Sequence, residues 1–145
     1  MSKESTTPDL VQLMRKAYEA VNRRDFDLDA MMSFYAPDAL WESPPLGTRF
    51  EGRAAIRGFA EDWMGAYEEW HAAPEELFDL GSGVVFAVVR QSGRPVGTVG
   101  HIQVREGWVF VWVDGLIVHV MAYTDINEAR AAAERLAEER AQADV

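Results

Sequence analysis

The chain has 145 residues, 48% of them hydrophobic and 11% aromatic, enough apolar material for one core of ordinary domain size. Twenty-four acidic residues against 14 basic ones give a net charge of −10, which opposes binding to nucleic-acid phosphates. The absence of cysteine excludes disulfides and thiolate metal sites. The opening MSKESTTPDL carries no apolar signal-like region, and unbroken apolar runs are short, as at Val84–Val89. A cytoplasmic protein without membrane insertion is expected, read as one domain over residues 1–145 with about six flexible residues at the start and a few at the end.

Thr7-Pro8-Asp9 reads as a helix start, with a hydroxyl cap, proline at the first helical position and an acid in the first turn. Leu10, Leu13, Met14, Ala17, Tyr18 and Val21 follow at helical spacing and form one apolar stripe ending near Asn22. Asp25 is the expected cap of a short second helix carrying Leu28, Met31, Met32 and Tyr35, ended by Ala36-Pro37. A strand from Ala39 to Ser43 stops at Pro44-Pro45, because proline lacks the ladder donor. Ile56, Phe59, Trp63, Tyr67 and Trp70 recur at spacings of three and four, predicting a third helix over about Ala54 to Trp70.

Pro74 to Leu80 reads as a strand, followed by strands over Gly83–Gln91, Thr98–Val113 and Leu116–Tyr123. Ser92-Gly93-Arg94-Pro95 and Asp114-Gly115 mark the turns between them, the latter a tight hairpin. Glu106-Gly107 interrupts the long middle strand and predicts a bulge. Asp125 with Glu128 three residues later is a capping box opening an alanine-rich helix toward Ala143. The order predicts an α+β fold, with helices on one face of a curved antiparallel sheet and a C-terminal helix.

Four local phrases in this order resemble the nuclear transport factor 2-like superfamily, and within it the SnoaL-like proteins. They are Ala17 to Asp25 (AYEAVNRRD), Phe34 to Ala39 (FYAPDA), Phe50 to Arg57 (FEGRAAIR), and Asp114-Gly115 followed by Ile117-Val118. The resemblance implies a cone-shaped, cystatin-like α+β barrel with a pocket between the third helix and the concave sheet, and often a dimer. The superfamily hosts isomerases, cyclases, dehydratases, hydrolases and non-enzymes, so fold alone does not assign activity. Carried over position by position, the ketosteroid isomerase base falls on Ser43, its oxyanion tyrosine on Ala17 and its oxyanion acid near Val109. None of these residues supplies the required group, so that activity is not expected.

Several residues are candidates for a ligand site. Trp41 and Ser43, two apart on a strand, share a face, with Ser43 either orienting a ligand or bonding local backbone. Glu42 points the other way. Phe59, Trp63 and Tyr67 are candidates for the pocket mouth, and equally for plain core. His71, His101 and His119 lack metal-ligand spacing, so no metal site is expected and no cofactor is implied. His101, in the long strand, suits acid–base work or a structural role. Val84, Phe86, Val88 and Arg90 alternate onto one face, which the resemblance makes the concave one. Arg90 there would anchor an anionic head group, or pair with Glu42, Asp62, Glu76 or Asp79.

That placement turns Trp108, Phe110 and Trp112 outward beside His119, Met121 and Tyr123, predicting a homodimer through the convex face. The alternative is that the faces are reversed and these residues fill the core. The functional expectation is a small-molecule-binding protein with a mainly apolar pocket. An activity of proton-transfer, cyclisation or hydration type on a lipophilic ligand would fit it; the alternative is a non-catalytic dimeric binding or interaction module.

Overall fold

The computed structural model describes residues 9–22 and 27–143. Helix α1, Leu10–Asn22, turns its predicted stripe inward around the buried Met14. The Asp9 carboxylate accepts from the Gln12 N–H at 3.2 Å, while Thr7, Pro8 and the expected cap Asp25 lie outside the described residues. Asn22 closes the helix by clamping a strand backbone: its amide donates to the Ala72 carbonyl (2.5 Å) and accepts from the Ala72 N–H (2.9 Å). Helix α2, Leu28–Met32, is capped by Asp27, whose side chain accepts from the Asp29 N–H at 2.9 Å.

Strand β1 runs Tyr35–Ser43, so Tyr35 and Pro37 belong to the sheet and not to the second helix. A register shift between Tyr35 and Leu40 along β1 leaves room for Pro37, which has no N–H to give a ladder. After a 3-10 turn, Pro44–Leu46, strand β2 (Thr48–Glu51) folds back on β1, an element the sequence reading lacked. Helix α3 spans Arg53–Gly65 and stops well short of Trp70. Tyr67 and Trp70 instead open β3, Tyr67–Gly81, because they pair with Pro95 and Gly93 of β4, Val84–Pro95. Long-range strand pairing overrides the helical spacing of the aromatics there.

Strands β5, Ile102–Val113, and β6, Leu116–Tyr123, complete one six-stranded sheet in the order β2-β1-β6-β5-β4-β3. Only β1 and β6 run parallel among its neighbouring pairs. The sheet is curved, and helices cover it, giving an α+β fold. The turn before β6 is the expected one: Asp114 and Gly115 both hold positive φ, at 52° and 81°. The preceding connection is displaced. Ser92 to Pro95 stays in β4, and the chain turns through residues 96–101.

The register of β4 on β5 runs unbroken from Val84↔Val111 to Gly93↔Ile102, so Glu106-Gly107 is no bulge. Besides the shift in β1, the irregularities lie in β3 and between Val111 and Trp112. Gly107 answers a different need. The last helix α4, Ile126–Ala143, crosses it so closely that a Cβ at 107 would lie 2.5 Å from the Ala129 Cβ. Ala129, Ala132, Ala133 and Ala137 are its buried residues, and Asp125 caps it by accepting from the Glu128 N–H at 3.0 Å.

The two faces of the sheet are the reverse of the expected assignment. Val84, Phe86, Val88, Val109 and Val111 pack against the alanines of α4. Val85, Ala87, Val89, Phe110 and Trp112 join Met14, Trp41 and Ile56 in the larger core beneath α1–α3. Trp108, Phe110 and Trp112 therefore point into the protomer, while His119 and Met121 pair with Val111 and Val109 on the α4 face. The outward aromatic row expected for a dimer does not form, since its two halves lie on opposite faces. Among the described residues, no helix is long and apolar enough to cross a membrane.

Gly107→Ala is expected to cost about 1–3 kcal/mol, because neither helix backbone nor strand can yield without repacking. A urea-unfolding midpoint unchanged from the parent protein would show that α4 is free to shift.

Candidate functional site

Between α1, α3 and the inner sheet face lies a cavity of about 250 Å³. Its walls are largely aromatic and aliphatic, and the rings touch one another in series. Tyr18 meets Phe110 edge-on at 6.5 Å between centroids, Phe110 stacks on Trp108 at 6.1 Å, and Trp108 meets Trp41 at 5.8 Å. Trp41 in turn lies 4.6 Å from Phe59, and Phe59 6.4 Å from Trp63 at the exposed rim. Met14, Ala17, Ile56 and Ala122 fill the spaces between.

Polar groups are few and specific. Glu106 and Gln91 border the cavity from adjacent strands. The Glu106 Oε1 accepts from Gln91 Nε2 at 2.7 Å and from Trp108 Nε1 at 3.0 Å. Its second oxygen makes no hydrogen bond among the described residues. The Tyr18 hydroxyl is buried, faces the same space and, like the buried Trp112 indole N–H, has no partner among the described residues. Burial above all, with Tyr35 and the Glu106 carboxylate adding to it, pushes the Tyr18 phenol far above its ordinary value. Burial does the same to Tyr35. Both remain neutral hydrogen-bond donors across the physiological range. Among described lining residues there is no lysine, arginine or histidine.

The expected site residues divide cleanly. Trp41, Ser43, Phe59 and Trp63 line the cavity. Ser43 is spoken for: its hydroxyl donates to the Ala122 carbonyl at 2.9 Å, across β1 and β6. Tyr67 packs on Trp63 at 5.5 Å but lies outside the cavity, in a shallow depression with His71 and His101. His101 is exposed in the β4–β5 connection, because β5 begins one residue later.

Phe86, Val88 and Arg90 lie on the opposite face, since the parity of β4 is reversed. Arg90 pairs there with Glu75, which also accepts from Arg105 Nε at 2.6 Å. Glu75 sits at the register shift of β3 between Pro74 and Glu76, so the bulge presents a carboxylate not considered among its partners. On the same face Glu42 meets His119 Nε2 at 2.6 Å. The residues missed are Tyr18, Gln91, Glu106, Trp108 and Phe110. The period-2 set of Glu106, Trp108, Phe110 and Trp112 on β5 was the available signal, read onto the wrong side.

A profile of the SnoaL-like domain matches residues 14–120. The chain belongs to the SnoaL-like family. No curated protein matches it. Among solved structures, a nuclear transport factor 2-like protein of unknown function from Burkholderia pseudomallei superposes with a TM-score of 0.70 at 22% identity, covering 88% of this chain and 98% of that one. A hypothetical protein of ketosteroid isomerase-like fold from Catenulispora acidiphila, in complex with trimethylamine, gives 0.69 at 16%, with coverages of 88% and 93%. A candidate SnoaL-like polyketide cyclase from Shewanella denitrificans gives 0.67 at 14%, with coverages of 89% and 98%. These likenesses carry the fold.

The Arg90–Glu75–Arg105 cluster yields a pH prediction. The hydrogen bond from Arg105, with the charges of both arginines, holds the Glu75 carboxyl below its ordinary value of 4.5. A lowered folded-state value means stability present above pH 4.5 and lost as pH falls through that lowered value. The melting-temperature difference between the parent protein and Glu75→Gln should therefore hold at neutral pH and shrink on acidification. Arg90→Met should shift melting only slightly, as expected for an exposed pair, and leave cavity binding unchanged. Thermal melts from pH 7 to pH 3 check both.

Proposed function

We propose that this SnoaL-like protein binds a compact lipophilic molecule in the aromatic cavity and addresses its polar atoms through Glu106 and Tyr18. The observation carrying this reading is the buried Tyr18 hydroxyl without a partner. A buried hydroxyl left unpaired costs about 1–3 kcal/mol, so the fold alone gives no reason for it to be there. A ligand acceptor would satisfy it. Apolar walls with a few convergent polar groups are the usual composition of a small-molecule site. At about 250 Å³ the cavity lies just below the roughly 300–1,000 Å³ typical for drug-sized ligands, which favours a compact one.

The same two groups favour a second, catalytic reading. A carboxylate with one free oxygen can take a proton, and a neutral phenol nearby can stabilise an oxygen on which charge develops. Proton transfer, cyclisation and hydration all draw on that pair, and the polyketide-cyclase neighbour is consistent with it by analogy only. The separate expectation of a dimer was argued from an outward aromatic row, and Trp108, Phe110 and Trp112 instead face the protomer's core.

Calorimetric titration with 2-naphthol, a compact bicycle carrying one hydroxyl, tests the reading. One-site binding is expected. Ala17→Trp, which fills the cavity from α1, should weaken it more than about tenfold. Tyr18→Phe should weaken binding by roughly three- to tenfold, the worth of one hydrogen bond. Because no described protein group pairs with the hydroxyl, Tyr18→Phe should also leave stability equal or raise it by about 1 kcal/mol. A Tyr18→Phe protein that melts earlier and binds as before would give the hydroxyl a structural role and remove this reading.

A further inference from the structure

We propose that the cavity's ligand, besides the acceptor offered to Tyr18, carries a cationic centre, a protonated or quaternary amine on a compact apolar body, with Glu106 as its counter-ion. This rests on the cavity being the ligand site and adds the sign of the charge that enters it.

Three observations converge on that sign. First, the cavity holds one carboxylate and, among described lining residues, no cationic side chain. The two partners of Glu106, the Gln91 amide and the Trp108 indole, are neutral donors on the same oxygen, and the other oxygen stays free. A half-buried carboxylate with one oxygen free of protein donors is open to a positive charge, which it would attract more strongly than in bulk water. Second, the walls beside Glu106 are aromatic. Trp108 bonds the carboxylate through its edge and meets Trp41 and Phe110, whose neighbours are Phe59 and Tyr18. Aromatic faces carry the negative end of the ring quadrupole and attract ammonium groups, tryptophan most strongly. Third, the arginines nearest in sequence are turned away. Arg90 and Arg105 lie on the far side of the sheet, where Glu75 accepts from both. Carboxylate and rings thus favour a cation from two directions, and both disfavour an anion.

Two probes of nearly equal shape separate charge from apolar fit. Phenyltrimethylammonium and tert-butylbenzene differ chiefly in a quaternary nitrogen replacing a quaternary carbon. Binding of each is measured by ligand-observed NMR and competition against 2-naphthol. The cation should bind roughly 10- to 30-fold more tightly than its neutral analogue. Glu106→Gln keeps an oxygen to accept from Gln91 and Trp108 while removing the charge, so folding should survive. It should lower cation affinity about tenfold and leave tert-butylbenzene unchanged.

If tert-butylbenzene binds as well as the cation or better, the cationic assignment is overturned and the lipophilic pocket stands. A preference that persists in Glu106→Gln also overturns it, by removing the counter-ion. If neither probe binds at millimolar concentration, the assignment and the pocket reading fall together.

Discussion

Everything in this fold depends on one strand buried on both faces. All six residues from Val84 to Val89 are at most 1% exposed, three pressed against α4 and three turned toward α1–α3. Such a strand has no solvent side, and its alternation carries no mark of which set belongs where. Yet a slip of one residue would exchange the two sets completely. The register is held by contacts outside the run itself. Asp114-Gly115 closes the β5–β6 hairpin, Gly107 admits α4 at its closest approach, and the Trp112 N–H bonds the Gly83 carbonyl at 2.8 Å.

The two faces are filled by different means, and this creates the cavity. On the α4 side the helix offers alanines, so backbone approaches backbone and little space remains. On the other side large groups converge from α1, α3, β1 and β5. Rings meeting edge-on or tilted at centroid separations of 4.6 to 6.5 Å cannot interlock as tightly as a helix stripe on small residues. Residual space on that side follows from the choice of side chains.

Elements with local punctuation were legible in the sequence. The α1 stripe, β6 and the cap of α4 lie where periodicity, the Asp-Gly turn and the Asp125 capping box placed them. Elements defined by distant partners were not. Trp63, Tyr67 and Trp70 fit a helix by spacing, yet pairing with the far end of β4 draws Tyr67 and Trp70 into β3. Half of the site suffered the same way. Trp41, Ser43, Phe59 and Trp63 belong to elements with a helical stripe or one clear inner face, and they were found. Phe86, Val88 and Arg90 were set on the concave face by the resemblance in place of Val85, Val89 and Gln91, on a strand whose two faces are both apolar.

The same parity organises the charges at the open end of the β4–β5 pair. Arg90 stands directly opposite Arg105, a like-charge pairing that costs stability unless an anion joins it. Glu75, brought in by the register shift of β3, supplies that anion to both. One residue further along β5 the chain reverses face, and Glu106 opens inward beside Gln91 and Trp108. A basic and an acidic residue adjacent in sequence are thereby kept apart by the thickness of the sheet. Arg105 is already engaged by Glu75 on the outside and cannot neutralise Glu106 on the inside. Among the described lining residues the sheet thus sets apart a single carboxylate, half-buried beside aromatic rings, and the neighbouring arginines are engaged elsewhere. Structural need accounts for the outer cluster, because removing Glu75 would leave two arginines facing each other. It does not account for Glu106, whose neutral partners would be met as well by a glutamine. The negative charge at that position is therefore not explained by the packing and hydrogen bonds around it.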